Sequence, residues 1–338
     1  MLKSFDIQRK IWFNFIRSLS FLSNEKALKL QNFIKAFFGL TDKNSIKLEI
    51  CSLCNVRCAW CWMYYNSVNK PKGIMKYENF KKFINLNSFY FLKKKVRIIP
   101  YFNGESLLHP QILQILEDIE NNKISMAGLH SNLSINIDIE RLMSFSIPRF
   151  VVNIGGITKE VHEKVILGSN FGLVTSNLKR MIAINKNIVF VKINPTKYNV
   201  HQLKDLKKFI MELGGYPQNT IISTTGLSLP FLASREEKEE FFSKVVNEEV
   251  SKYLRFTYKR DEGEIVIESK DRIDTCQFLT DCVAFDGRLT ICCHDQIGKI
   301  NLGNAFETSI EELKKTNKYK EIYNKAKLKS FDFCRTCN

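Results

Sequence analysis

The chain has 338 residues, 44% of them hydrophobic and 25% charged, with a formal net charge of +16. That composition excludes a mainly disordered chain, and the length calls for one large domain with an appendage rather than a single small core. No apolar run is long enough to cross a membrane, and Asp6, Arg9, Lys10 and Arg17 interrupt the N-terminal apolar stretch, so the expected location is the cytoplasm.

The positive charge suits an anionic partner such as a nucleotide, a phosphate or an acidic peptide. The lysines are dispersed among Asn and Ile rather than gathered in a basic stripe, so nucleic acid is not the expected partner. Residues 1–44 read as an N-terminal helical cover, with apolar stripes at Ile11, Trp12, Phe15, Ile16 and Leu19 and at Leu30, Phe33, Ile34 and Phe37. From residue 45 the text alternates. Short β-rich runs at 46–50, 96–101, 125–130, 150–154, 188–193 and 220–224 are separated by amphipathic helical stretches such as 77–86, 111–121 and 200–213. Six such β/α units predict an α/β fold, a parallel sheet curled into a partial (β/α)6 TIM-like barrel over 45–226. A charged helical linker follows over 227–262. Residues 263–338 read as a small α+β domain, with a hairpin at Asp286-Gly287 and a helix over 309–327.

Cysteine placement carries the chemistry. All ten cysteines fall between 51 and 61 or between 276 and 337, which in a reducing compartment points to soft metals rather than disulfides. Shortly after the first strand comes Cys54-x3-Cys58-x2-Cys61. Three thiolates on one loop suit a cubane iron–sulfur cluster with one iron left open. Adding Cys51 would make four thiolates and a closed zinc site, the competing reading.

The three-cysteine spacing, with Trp60 before the last cysteine, resembles the radical S-adenosylmethionine (SAM) superfamily. The resemblance implies a [4Fe–4S] cluster on Cys54, Cys58 and Cys61, SAM chelated to the open iron, and a 5′-deoxyadenosyl radical that abstracts hydrogen from substrate. Asn103-Gly104-Glu105-Ser106, after the second strand, resembles the family's Gly-Gly-Glu-Pro segment, which receives the amino group of SAM. Ser131 and Asn132 close the third strand, Asn153 lies at the end of the fourth and Asn194 follows the fifth. The resemblance makes these, with Trp60, cofactor-binding candidates. His109 is expected to be a satisfied structural histidine.

The second group, Cys276, Cys292, Cys334 and Cys337, resembles the C-terminal extension of SPASM and Twitch enzymes and implies one auxiliary [4Fe–4S] cluster, with Cys282 as a reserve ligand. Zinc is again the alternative. His294 and Asp295, beside Cys292, are candidate proton acceptors from a substrate radical. The function expected is a radical SAM oxidoreductase that dehydrogenates a small-molecule or sugar-like alcohol, fed electrons by reduced flavodoxin or ferredoxin. The alternatives are a SPASM-type maturase that crosslinks a peptide or forms a thioether, and a non-catalytic zinc- or RNA-binding protein.

Overall fold

The computed structural model describes residues 44–61, 63, 71–223, 234–254, 256–261, 264–269, 276, 279–292, 295, 298–331 and 334. The helical cover expected over 1–44 therefore lies outside the described residues, save Asn44. Residues 45–338 form one compact unit.

Six parallel strands build the barrel: β1 (Ser45–Leu48), β2 (Arg97–Ile99), β3 (Leu129–Ser131), β4 (Phe150–Ile154), β5 (Val189–Ile193) and β6 (Thr220–Ile222). β1 pairs with β2, and β3, β4, β5 and β6 pair in that order; a parallel bridge between Ile98 and Met126 joins the two sets. These positions match the expected runs, with one displacement. The third run was expected at 125–130, but regular pairing starts only at Leu129. Gly128 explains the delay: it has φ +158°, and a Cβ there would lie 2.8 Å from the Arg149 carbonyl, so backbone meets backbone where a side chain would stand.

The strands connect through α1 (Tyr77–Lys94), α2 (Ile112–Asn121), α3 (Ile139–Ser144), α4 (Lys159–Val165), α5 (Phe171–Asn185) and α6 (Leu206–Glu212). α1 runs two turns beyond the expected 77–86 because its buried stripe continues from Phe80, Phe83 and Ile84 through Asn87 to Phe91. The expected helix over 200–213 is a 3-10 turn at Val200–Gln202 followed by α6. The charged stretch after the barrel forms α7 (Arg235–Val245), opened by a Ser234–Glu237 capping box, and α8 (Glu248–Ser251), capped by Asn247. Phe241, Phe242, Val245 and Val250 bury the inner side of this segment.

Beyond it lie the antiparallel pair β7 (Phe256–Asp261) and β8 (Glu264–Ser269), then β9 (Asp281–Val283), β10 (Leu289–Thr290), α9 (Ile310–Lys315) and α10 (Asn317–Lys327). The Asp286-Gly287 turn forms as expected, with Gly287 at φ +91°. β9 pairs antiparallel with β10 and parallel with β1, in the register Ile46 to Asp281 and Leu48 to Val283. The C-terminal region thus extends the barrel sheet itself. No helix among the described residues is long and apolar enough to cross a membrane.

Candidate active site

β1 delivers the first cysteines to the barrel rim. Cys51, fully buried, bridges to Ile74, and its thiol faces the Leu53 carbonyl at 3.7 Å. The chain then turns through Cys54 and runs antiparallel to Ile166–Leu167 at Arg57–Cys58, and the Cys61 amide donates to the Cys58 carbonyl at 2.9 Å. Trp60 is buried with Val56, Val165 and Ile166. It therefore pins the loop to α4.

Cys54, Cys58 and Cys61 lie close enough to act on one another. Burial, and then neighbouring acidic groups, push the Cys54 thiol up to about 12 and the Cys58 thiol well above its ordinary value. Burial also raises Cys61, against the opposing charge of Lys72. Thiols that disfavour each other's ionisation become thiolates only when a cation joins them, which suits a metal cluster. Among the described residues, no three His, Cys, Asp or Glu side chains are placed as they would be around one metal ion.

The Gly104-Glu105 segment is seated directly on that loop. Gly104 has φ +73°, and a Cβ there would lie 2.5 Å from the Cys51 carbonyl oxygen; the Glu105 amide donates to the Leu53 carbonyl at 2.8 Å. Glu105 itself is buried. Its carboxylate accepts from the Asn132 amide at 2.7 Å and the Leu107 amide at 3.1 Å, and from the Ser131 hydroxyl. Burial outweighs these bonds and lifts its pKa to about 7. The Asn132 side chain reaches Asn55 Oδ1 at 3.0 Å and the Cys54 sulfur at 3.7 Å, tying β3 to the cluster loop. Asn103 turns elsewhere: its amide donates to Glu49 Oε1 at 2.8 Å, a buried carboxylate that the sequence reading did not single out. His109 is satisfied as expected, with Nδ1 accepting from the Gln111 amide and Nε2 facing the Met75 carbonyl at 2.7 Å.

Further around the barrel, the Asn194 Oδ1 atom, after β5, is buried without a hydrogen-bond partner. An orphaned buried acceptor beside strand ends of this kind fits a missing polar ligand. Asn153 lies in register with Lys192, one strand away. The glycines that follow Asn153 serve packing: a Cβ on Gly155 would lie 2.7 Å from the His162 carbonyl.

Several residues around His130 were not foreseen. Tyr101 stacks on His130, and Lys47, Arg149 and Lys192 act electrostatically on that imidazole, which burial and these charges hold at about 3. Strand alternation was the available signal, since Lys47, Tyr101 and Lys192 occupy the partly open positions of otherwise buried runs.

In the C-terminal region, Cys276 and Cys334 are brought together: the charge of Cys276 adds to burial in raising the Cys334 thiol. Cys292 is buried just after β10, while Cys337 lies outside the described residues. Cys282, the reserve ligand, sits within β9 in register with Lys47. The buried Asp295 carboxylate accepts from the Lys299 amide at 2.7 Å, the Ile300 amide at 2.9 Å and the Thr290 hydroxyl at 3.0 Å, so it braces its own loop. His294 lies outside the described residues.

Residues 275–338 match the SPASM family, an iron–sulfur cluster-binding domain. A probable GTP 3′,8-cyclase of Methanocaldococcus jannaschii is 20% identical over 275 residues, 77% of this chain and 87% of that protein. One from Methanococcus maripaludis is 20% identical over 288 residues, 80% and 91% of the two chains. Among solved structures, BtrN in complex with AdoMet and 2-DOIA aligns at TM-score 0.52 and 15% identity, covering 87% of this chain and 92% of that one. SuiB of Streptococcus suis bound to the precursor peptide SuiA aligns at 0.53 and 12%, covering 94% and 79%. These likenesses establish the fold as the radical SAM partial barrel with a C-terminal cluster domain, as the sequence led us to expect.

Proposed function

We propose that this chain, a radical SAM enzyme with a SPASM-type C-terminal domain, removes a hydrogen atom from a small-molecule substrate in the barrel lumen and completes a net oxidation, most simply dehydrogenation of an alcohol. Cys54, Cys58 and Cys61 would hold the first [4Fe–4S] cluster, and Cys276, Cys292, Cys334 and Cys337 the auxiliary one. Bound here, the first cluster and SAM supply a carbon-centred radical able to take hydrogen from unactivated carbon, and the auxiliary cluster supplies a place for one electron.

The observation that carries this reading is the seating of Gly104-Glu105 on the cysteine loop, through the Glu105–Leu53 bond and the absence of room for a Cβ at 104. It fixes a buried carboxylate beside three mutually coupled thiols. Glu105 would receive the ammonium group of SAM, whose charge offsets the burial that raises the carboxyl. Asn194, through its orphaned Oδ1, and Asn153 would take hydroxyl groups of the cofactor. With Asp295 committed to its loop, His294 is left as the proton acceptor inferred from sequence. Reduced flavodoxin or ferredoxin would supply the electron.

The test is anaerobic reconstitution followed by parallel assays of deoxyadenosine and oxidised product. Wild type should carry about eight irons per chain. Cys334→Ala should keep deoxyadenosine release and lose the oxidised product; full turnover in that variant would overturn the oxidative reading.

A further inference from the structure

We infer that Glu49 is a positioning residue for the SAM site: its carboxylate joins the turn between β9 and β10 to Asn103, and so fixes where Gly104-Glu105 stands. The inference rests on the reading that Glu105 receives the ammonium group of SAM. It adds the residue that holds that segment, and it gives the C-terminal region a part in binding the cofactor.

Glu49 is the residue after β1 and is fully buried. Its amide donates to the Val283 carbonyl at 2.8 Å, which carries the β1–β9 pairing one bond further. The two carboxylate oxygens divide between two other segments. Oε1 accepts from the Asn103 side-chain amide at 2.8 Å, and Oε2 accepts from the Phe285 backbone amide at 3.3 Å. Asn103 is itself buried, and the residue after it is Gly104, whose left-handed backbone lies against the Cys51 carbonyl. Phe285 grips the same region a second time. Its ring covers Gly73, where a Cβ would lie 2.4 Å from a ring carbon. Gly73 in turn holds Ser52: the Ser52 amide donates to the Gly73 carbonyl at 2.9 Å, and the Gly73 amide donates to Ser52 Oγ at 2.7 Å. The β9–β10 turn, the chain leading into Cys54 and the approach to Glu105 therefore meet around one carboxylate.

A carboxylate in the interior is costly unless its oxygens are bonded, so the arrangement that bonds them is strongly preferred over its neighbours. Bonds to an ionised acceptor are also the stronger kind. Moving Asn103 would take its donor from Oε1, and Asn103 is thereby held in place. Gly104, one residue on, follows it. A ligand-binding group works only when its neighbours hold it within about 0.5 Å of the productive position and are themselves locked. At its far end Glu105 has such support from the Asn132 and Leu107 amides. Glu49 supplies the support at the near end, two residues before Glu105. Asn103 stands where the Gly-Gly-Glu-Pro segment has its first glycine, so the side chain that meets Glu49 belongs to this chain's own version of the site.

The test uses the full chain reconstituted with its clusters under anaerobic conditions and kept oxidised, so that SAM binds without being consumed. Equilibrium dialysis with SAM compares wild type with Glu49→Ala, Asn103→Ala, the double variant and Glu49→Gln. Each alanine substitution should weaken SAM binding about tenfold, and the double variant should show the same factor rather than the product, because the two residues act through one contact. Glu49→Gln should recover most of the affinity, since its amide can accept from Phe285 and donate to an Asn103 amide turned over. Hydrogen–deuterium exchange over 103–107 should quicken in the alanine variants while exchange in α5 stays as in wild type, a pattern that general destabilisation does not produce. Multiplied effects in the double variant, or Glu49→Gln as weak as Glu49→Ala, would overturn the proposal. So would unchanged SAM affinity in Asn103→Ala, which decides the matter alone if Glu49→Ala fails to fold. SAM bound by wild type with unaltered affinity in the variants fails this inference only, whereas wild type that binds no SAM fails the reading beneath it.

Discussion

The ring of Tyr101 lies parallel to the imidazole of His130, with centroids 5.0 Å apart and planes 7° from parallel. Tyr101 follows β2 and His130 lies within β3, so the stack fastens the two strands at the junction between the halves of the sheet, where backbone pairing is reduced to the Ile98–Met126 bridge. The ring face makes this contact. Tyr101→Phe should therefore cost less than about 1 kcal/mol of unfolding free energy, while Tyr101→Ala should cost roughly 2–4 kcal/mol. Denaturant unfolding of both variants checks the contrast; equal losses would place the stabilisation in the hydroxyl.

Glu105 braces two buried amides and, on the proposed function, receives the ammonium group of SAM; two substitutions compare these roles. Glu105→Gln preserves size but keeps only one of the two acceptor oxygens and no charge, so it should weaken SAM binding about tenfold or more and lower stability by about 1–3 kcal/mol while leaving iron content close to wild type. Glu105→Ala should in addition lower stability by about 1–3 kcal/mol for each buried amide, of Asn132 and Leu107, that loses its acceptor. Equilibrium SAM binding and thermal melts distinguish the outcomes.

The site was legible in uneven measure. The three-cysteine spacing and Gly104-Glu105 are local in sequence, and the structure brings both to the same rim. The barrel strands were also legible, because each is a short β-branched run followed by a helical period. The pairing of β9 with β1 was not, since its partners are 235 positions apart at Ile46 and Asp281 and no local pattern encodes that choice. Lys47 and Lys192 were passed over as ordinary members of a lysine-rich chain. Their significance is the strand face they occupy, which depends on how the sheet curls. The bracing role of Asp295 was not legible either: it neighbours Cys292 in sequence, and its carboxylate turns back to amides four and five residues ahead.

Asp295→Asn follows from that geometry. An amide nitrogen cannot accept the bonds that one carboxylate oxygen now accepts, so the variant should lose roughly 1–3 kcal/mol of stability. Deoxyadenosine release should stay within about twofold of wild type. A collapse of turnover in a variant with unaltered melting temperature would place Asp295 in the chemistry instead.

Buried His162 gives the protein a pH-dependent stability term. Nδ1 accepts from the Gly155 amide at 3.3 Å, Nε2 meets Ser169 Oγ at 2.9 Å, and burial lowers the pKa from 6.5 to about 4. The unfolded chain therefore binds the proton first as pH falls. The stabilisation is complete above pH 6.5 and is lost progressively down to about pH 4, amounting to roughly 3 kcal/mol. His162→Asn should abolish this part of the pH slope in denaturant titrations at successive pH values. An identical slope in the variant would show that other groups carry it.

Whether Cys54, Cys58 and Cys61 hold the cluster at which SAM is cleaved is decided by deoxyadenosine release from anaerobically reconstituted Cys58→Ala, read beside its iron and sulfide content. This variant should keep the C-terminal cluster, with about four irons per chain rather than about eight, and release no deoxyadenosine. Deoxyadenosine release at the wild-type rate from a verified Cys58→Ala protein would contradict that placement of the cluster.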